Sequence, residues 1–478
     1  MKVSVSQLQI AAVDADLLAV GLCEGEDLPV KLASAPGAND AKGGFKKLAM
    51  LYPERPGRVL VVGLGKREEL DAERARIAAA MAAKEAAKLS ATSIAWVPPG
   101  SEDDGGLAEG LVTGTILGAY RFDRFKSKDP DEPAPPSLDS LLLLASEGVT
   151  KAVEGARVCA EAQNRARDLQ SLPSNVATPS FLAERATEIA AGHDALTVEV
   201  LGREEIAAKG MGGLVAVSQG SAEEPKLIVL RYSGGGSGET LGLVGKGVTF
   251  DTGGISLKSA PGMQEMKMDM SGAAAVLEAV GAIAELGLEI ELIAVVPSTE
   301  NMPSGTAIKP GDIITQYSGK TVEINNTDAE GRLILADALA YAAELGAERI
   351  VDIATLTGAV MIALGSTYAA VISNDDELAA GVERAGRETG ELAWRLPLHP
   401  EYKALMKGTV ADLTNAAPKR KAGTISAAAF LEEFVGETPW AHIDIAGTAW
   451  DVGRPYTGSD GSGFGVRLLT ALARSLSS

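Results

Sequence analysis

Three segments of the chain gather carboxylates, lysines and glycines where an apolar run ends. In GLVGKGVTFDTGGISLKS, Lys246 and Asp251 flank a strand end, Gly253 and Gly254 allow close backbone approach, and Lys258 follows seven residues after Asp251. In MKMDMSG, Asp269 stands just before a run whose Val276, Leu277, Val280 and Ile283 repeat at helical spacing, and Ser271 is placed to cap that helix. In EINNTDAEGRLILADAL, Asp328, Glu330 and Arg332 are spaced by two, which in an extended segment puts all three on one side. Any one of these groups, taken alone, reads as solvated surface. Together they form a set of oxygen donors of the kind that hard and borderline divalent cations take, and metal-assisted chemistry is what they suggest.

Other chemistries fit less well. His193, His399 and His442 are the chain's three histidines, and none has another within metal-motif spacing, so a His-rich zinc site is excluded. Each reads as structural or surface, although His442, in WAHIDIAG, lies on an expected buried strand and could support the core or the site. The VGKGVT run lacks a Walker A loop's first glycine, because Thr240 occupies that place, and Gly247 stands where a magnesium-holding Ser or Thr belongs. GLGKREE has one G-x-G and then Glu68 in place of the third glycine of a dinucleotide loop. There is no G-x-S-x-G elbow. VTFDTGG resembles half of an aspartic protease dyad, a reading that needs a homodimer to supply the second carboxylate. Cys23 and Cys159 make no disulfide framework and read as small core or half-buried residues.

The elements that must position these groups follow from composition and pattern. A chain of 478 residues exceeds what one core usually organises, and 46% apolar, 4% aromatic and 54 glycines fit an Ala- and Gly-rich α/β protein. Strand-like runs at 59–62, 93–97 and 141–145 with a helix over 70–89 predict a smaller N-terminal α/β domain over 1–150. The Pro- and charge-rich KSKDPDEPAPPS, 126–137, reads as a surface loop within it. A connecting helix and linker cover 151–175, and 176–478 forms a larger α/β/α domain with a mixed, largely parallel sheet. Its expected strands are 227–232, 241–250, 292–297, 313–317, 321–325, 350–356 and 441–446; its expected helices are 272–286, 333–345, 378–388 and 426–435. Ligands in such sheets gather at strand C-terminal ends. The net charge of −20 disfavours nucleic acid as a main partner, and no run of about 18 uncharged apolar residues suggests a membrane span. The expected location is the cytoplasm.

The octapeptide NTDAEGRL, Asn326 to Leu333, resembles the signature of the leucyl aminopeptidase family. VGKGVTFDTGGISLK, MKMDMSGAAAV, ATLTGA (Ala354 to Ala359) and HIDIAG (His442 to Gly447) reinforce it, so the resemblance covers roughly 160–478. The first 150 residues are similar to the family's variable N-terminal domain in length and α/β character. The resemblance implies an enzyme that releases N-terminal residues, preferentially Leu and other apolar ones, from peptides with a free amino terminus.

It also implies roles. Two divalent ions, manganese or zinc, would be bridged by Asp251 and Glu330, with Lys246 and Asp269 completing one shell and Asp328 serving the other. A salt bridge to one of these acids is the alternative for Lys246. Lys258 would donate to the oxyanion of the tetrahedral intermediate, and Arg332, with Leu356 beside it, would hold a bicarbonate ion acting as general base. Met266, Thr355 and Gly358 match positions lining the pocket for the first side chain, though Met266 also fits a core filler. KRKAGT, 419–424, carries one glycine, Gly423, where family members often show a pair. The resemblance further implies a homohexamer with the N-terminal domain in assembly or gating. A DNA-binding regulator and a magnesium-dependent phosphatase stay open as readings of other classes.

Overall fold

The computed structural model describes residues 1–99, 104–127, 136–417, 419 and 421–477. Within the expected surface loop at 126–137, residues 128–135 lie outside the described residues. The chain divides into two compact units, one of residues 1–164 with 453–458, the other of 165–452 with 459–478. The division falls inside one helix, Thr150–Ser171.

The first unit is built on a six-stranded sheet. Its order is Lys2–Ser6, Ser140–Leu144, Ser93–Val97, Leu17–Cys23, Val59–Gly65 and Leu48–Leu51, parallel throughout except for the last pair. Both faces are covered, so the central strands read as unbroken apolar runs. In Leu17–Cys23, Leu17 and Ala19 join the core under the helices, while Leu18, Val20 and Leu22 pack on the opposite side. The helices Ala72–Lys88 and Gly105–Gly118 start at Asp71 and Asp104, whose carboxylates accept the amides of Arg74 and Leu107. Gly110 and Gly114 bring these helices into backbone contact: a Cβ at Gly114 would lie 2.1 Å from the Arg76 carbonyl oxygen. That need for closeness, rather than helix propensity, explains a helix rich in glycine.

The second unit holds a nine-stranded mixed sheet. Its order runs Ala393–Arg395, Ala369–Ser373, Trp440–Asp444, Arg349–Ala354, Leu241–Gly245, Glu291–Asn301, Lys226–Ser233 and Leu196–Leu201, with Gly247–Asp251 beside the second half of Glu291–Asn301. The four central strands are mutually parallel, and Ala369–Ser373 and Lys226–Ser233 turn antiparallel on either side. A three-stranded sheet of Ile313–Thr315, Thr321–Glu323 and Leu413–Thr414 lies apart from it. The fold is therefore two α/β units with mixed, largely parallel sheets. No helix among the described residues is long and apolar enough to cross a membrane.

Three local expectations are corrected. The run expected as one strand over 241–250 is two, Leu241–Gly245 and Gly247–Asp251, broken at Lys246. The Lys246 carbonyl accepts the amide of Ala273 at 2.8 Å instead of continuing a ladder, which frees its side chain to leave the sheet. Ser271 does not cap the following helix: it is the first residue of Ser271–Glu285, and its hydroxyl donates back to the Met268 carbonyl. That helix is buried all round from Ser271 to Ile283, because Ala and Gly on the face away from its apolar stripe let it pack on every side. Finally, Asp328, Glu330 and Arg332 do not share an extended segment, since Asp328 lies in a turn and Arg332 in the first turn of the helix Gly331–Glu344.

Candidate active site

Five strands deliver polar groups to one place. Lys246 follows Leu241–Gly245, Asp251 closes Gly247–Asp251, Asn301 closes Glu291–Asn301, Thr355 follows Arg349–Ala354, and Asp444 closes Trp440–Asp444. Because these strands are parallel through successive neighbours, their C-terminal ends coincide. A cavity of about 520 Å³ opens there, lined by Lys246, Asp251, Lys258, Asp269, Asp328 and Glu330, and by Met266, Arg332, Thr355, Leu356 and Gly358. Every residue to which the resemblance gave a ligand, catalytic or pocket role thus borders the same cavity. Met263, Met361 and Ala446 add apolar wall that the sequence did not single out.

Two lysines organise the acids. Lys246 Nζ lies 2.7 Å from Asp269 Oδ2 and 2.8 Å from Glu330 Oε1, and donates to the Thr355 carbonyl at 3.1 Å. Thr355 Oγ1 donates to Asp269 Oδ1 at 2.8 Å. Lys258 Nζ lies 2.6 Å from Asp251 Oδ2 and also contacts Asp328 Oδ1. Asp251 Oδ1 accepts from the Gly253 amide and Asn301 Nδ2, both at 2.8 Å. Gly253, at φ 85°, adopts a conformation few other residues take, and it turns the chain so that its amide meets Asp251.

The Asn326–Arg332 segment is held from behind. Asn301 Nδ2 donates to the Thr327 carbonyl at 3.0 Å, and Thr327 Oγ1 donates to the Gly253 carbonyl at 2.6 Å. Asn415, fully buried, donates to the Asn326 carbonyl at 2.6 Å and accepts the amides of Asn325 and Asn326. Its own carbonyl accepts Arg332 Nη1 at 2.8 Å. Sequence reading missed Asn301 and Asn415; the end of a long apolar strand marks the first, and nothing in the pattern marks the second. Within KRKAGT, Ala422, just before Gly423, sits at φ 49° in the left-handed region, a position of backbone strain for a residue with a Cβ.

Burial sets the electrostatics. It pushes the Asp269 carboxyl well above the usual range against the pull of Lys246, with Asp251 and Glu330 adding repulsion. Glu330 is raised by burial and by Asp251, and Asp328 by burial against the opposing charge of Lys258. Burial works against the charge of Lys246, yet Asp269, Glu330 and Asp251 together hold its ammonium above the ordinary lysine value. Burial brings the Arg332 guanidinium down to about 10 although Glu330 and Asp444 oppose it.

Four carboxylates therefore face two ammoniums, and burial first, with repulsion between the acids second, raises Asp269, Glu330 and Asp328. Asp251, Asp328 and Glu330 can place one oxygen each within 4.8 Å of one another. Asp269 Oδ2 is buried and accepts no aligned hydrogen bond. A cluster of four carboxylates with two positive charges among them is what a divalent cation fits.

The fold and the site are those of a metal-dependent peptidase. The chain matches the cytosol aminopeptidase family in its catalytic domain over residues 164–470 and in its N-terminal domain over 26–129. It belongs to that family. A "Probable cytosol aminopeptidase" of Roseiflexus castenholzii is 45% identical over 99% of both chains, and one of Alkaliphilus oremlandii is 42% identical over 100% of both. Among solved structures, "Bottromycin maturation enzyme BotP in complex with Mn" superposes with a TM-score of 0.89 at 35% identity, covering 97% of this chain and 100% of that one. A mutant of tomato leucine aminopeptidase gives 0.88 at 32% identity, covering 99% and 96%. The protein is an aminopeptidase, a hydrolase acting on peptides.

Proposed function

We propose that this aminopeptidase uses two divalent cations, manganese or zinc, to release N-terminal residues, Leu and other apolar ones by preference, from peptides with a free amino terminus. The observation that carries the reading is the convergence of Lys246, Asp251, Asp269, Asp328 and Glu330 with Lys258 in one methionine-walled cavity. Asp251 and Glu330 would hold both ions, Asp269 would complete one shell with Lys246 once that side chain gives up its ammonium proton, and Asp328 would serve the other. Bound there, the cations supply Lewis acidity, a water that ionises near neutral pH, and an anchor for the substrate's free amine.

The chain's own residues do the rest. Lys258, about a quarter exposed at the cavity, donates to the oxygen that gains charge when the peptide carbonyl is attacked. Arg332, with Leu356 beside it, would hold a bicarbonate ion, which would supply the general base that no histidine bordering the cavity provides among the described residues. Met266, Thr355 and Gly358 receive the first side chain, and flexible thioether walls suit several apolar shapes. A cytoplasmic homohexamer, with residues 1–150 in assembly or gating and 176–478 in catalysis, belongs to the same reading. Sedimentation showing only monomer mass would refute the hexamer.

The test is hydrolysis of a leucine p-nitroanilide beside its N-acetylated form, with metal stripped and then restored as Mn²⁺ or Zn²⁺. Cleavage of the free-amine substrate alone, lost and regained with metal, is expected. Metal-independent cleavage, or none with either ion, overturns the proposal.

A further inference from the structure

The loop that carries Lys258 is held by polar groups rather than by burial of its own apolar ones. Between Asp251 and Lys258 the chain doubles back through Gly253 and Gly254, at φ 85° and 65°, and closes where the Lys258 amide donates to the Thr252 carbonyl at 2.9 Å. Ile255 and Leu257 face outward, 44% and 60% exposed, so apolar packing does little to fix the loop. At its base the Thr252 hydroxyl donates to the Asn301 carbonyl at 2.7 Å and accepts the Gly254 amide at 3.2 Å.

Thr327, from a distant part of the chain, grips the bend itself. Buried at 1% exposure, its hydroxyl donates to the Gly253 carbonyl at 2.6 Å and accepts the Ser256 amide at 2.8 Å. Ser256 Oγ in turn accepts the Thr327 amide at 3.1 Å. Gly254 lies against the same group, since a Cβ there would fall 3.1 Å from Thr327 Oγ1. The Thr327 carbonyl is fixed separately, by Asn301 Nδ2 at 3.0 Å, and the next residue, Asp328, is the one whose carboxylate Lys258 contacts.

We propose that Thr327 is a positioning residue: its hydroxyl, by clasping Gly253 and Ser256, sets where the Lys258 ammonium stands relative to Asp251 and Asp328. The inference rests on reading Lys258 as the donor to the oxygen that gains charge during attack. Asp251 and Asp328 draw the ammonium inward, and carboxylates given over to cations would draw it less, leaving its place to the loop backbone. A hydroxyl suits the task because it donates and accepts at once, and the β-branch of threonine keeps χ1 stiff. Valine fills the same space with neither function and would leave the Gly253 carbonyl and the Ser256 amide without their partner. A donor displaced by about 1 Å loses much of its effect on the reacting oxygen.

The test uses the full chain reconstituted with Mn²⁺ and a leucine p-nitroanilide. T327V is expected to lose about tenfold in kcat with KM changed by less than about twofold. Its Mn²⁺ affinity by calorimetry is expected to stay within about threefold of wild type, because Asn301 still holds the Thr327 carbonyl beside Asp328. T327S keeps the hydroxyl and is expected to recover most of kcat, although serine fills the site less well than valine, so a packing role predicts the reverse order. K258M/T327V is expected to be no slower than K258M, since a lysine that is gone cannot be misplaced. S256A, at a half-buried position, removes the return bond to Thr327; it is expected to lose about threefold in kcat and stands in for T327V should that variant not fold. Hydrogen exchange reads the same point without activity: amides over 252–258 are expected to exchange about tenfold faster in T327V. Wild-type kcat, T327S slower than T327V, losses that multiply in the double variant, Mn²⁺ affinity falling in step with kcat, or unchanged exchange overturns the proposal. K258M with wild-type kcat would remove the Lys258 reading and the proposal with it, whereas a slow K258M beside a T327V of wild-type kcat removes the proposal alone.

Discussion

Gly331 lies against the Lys246 side chain so closely that a Cβ at position 331 would fall 2.5 Å from Lys246 Cε and 2.7 Å from Nζ. The amine can yield only by leaving Asp269, Glu330 and the Thr355 carbonyl. G331A is therefore expected to fold but to lose about 10- to 100-fold in metal affinity, with a matching loss of activity. Calorimetric titration of the stripped protein with Mn²⁺ checks this, and unchanged affinity would contradict it.

Lys258 touches Asp251 and Asp328 from the open side of the site. If it stabilises the developing oxyanion, K258M is expected to lower kcat by about 10²- to 10³-fold with little change in KM. Steady-state kinetics separates the two constants, and a loss confined to KM would instead assign Lys258 to substrate binding.

Metal removal is expected to cost stability as well as activity. Without cations, buried Asp269 and Glu330 repel Asp251 across the site. Mn²⁺ at 100 times its dissociation constant is expected to stabilise the fold by about 2.7 kcal/mol. Thermal unfolding with and without chelator measures it, and coincident curves would argue against a resident ion.

Asn415 holds the signature loop through its side-chain amide. N415A strands two backbone amides and a carbonyl of Asn325 and Asn326, so a loss of about 2 to 4 kcal/mol is expected, with activity falling in parallel. Urea unfolding gives the first figure, and a change under 1 kcal/mol would show that water replaces the amide at once.

Ala422 offers the opposite sign. A left-handed residue with a Cβ costs about 1–2 kcal/mol, while glycine loosens the unfolded chain by about 0.4–1 kcal/mol. A422G is thus expected to stabilise by up to about 1 kcal/mol, and a destabilised variant in the same unfolding assay would show the strain to be absorbed elsewhere.

Much of this was legible in the sequence wherever one residue type has one use. Apolar runs bounded by turns mark the strands at 93–97, 226–233 and 349–354, and the carboxylate-rich segments mark the cavity. Legibility failed where a backbone serves something distant. The break at Lys246 follows from a helix terminus docking on its carbonyl, and the glycine-bearing helix Gly105–Gly118 is helical because its partner must come close. Asn415 carries no local pattern, since its partners lie about 90 residues away in sequence.

The strand ends that frame the site come from widely separated stretches of chain, and this orders events in time. Lys246 is pinned by the Ile353 and Thr355 backbone, so a nascent chain that has not yet delivered Thr355 has its acidic residues but no cradle to hold them. Ion capture must therefore follow sheet closure, which makes the uptake of metal a clock for late folding: it should start only with the native sheet, and no contiguous fragment ending before Thr355 should show it.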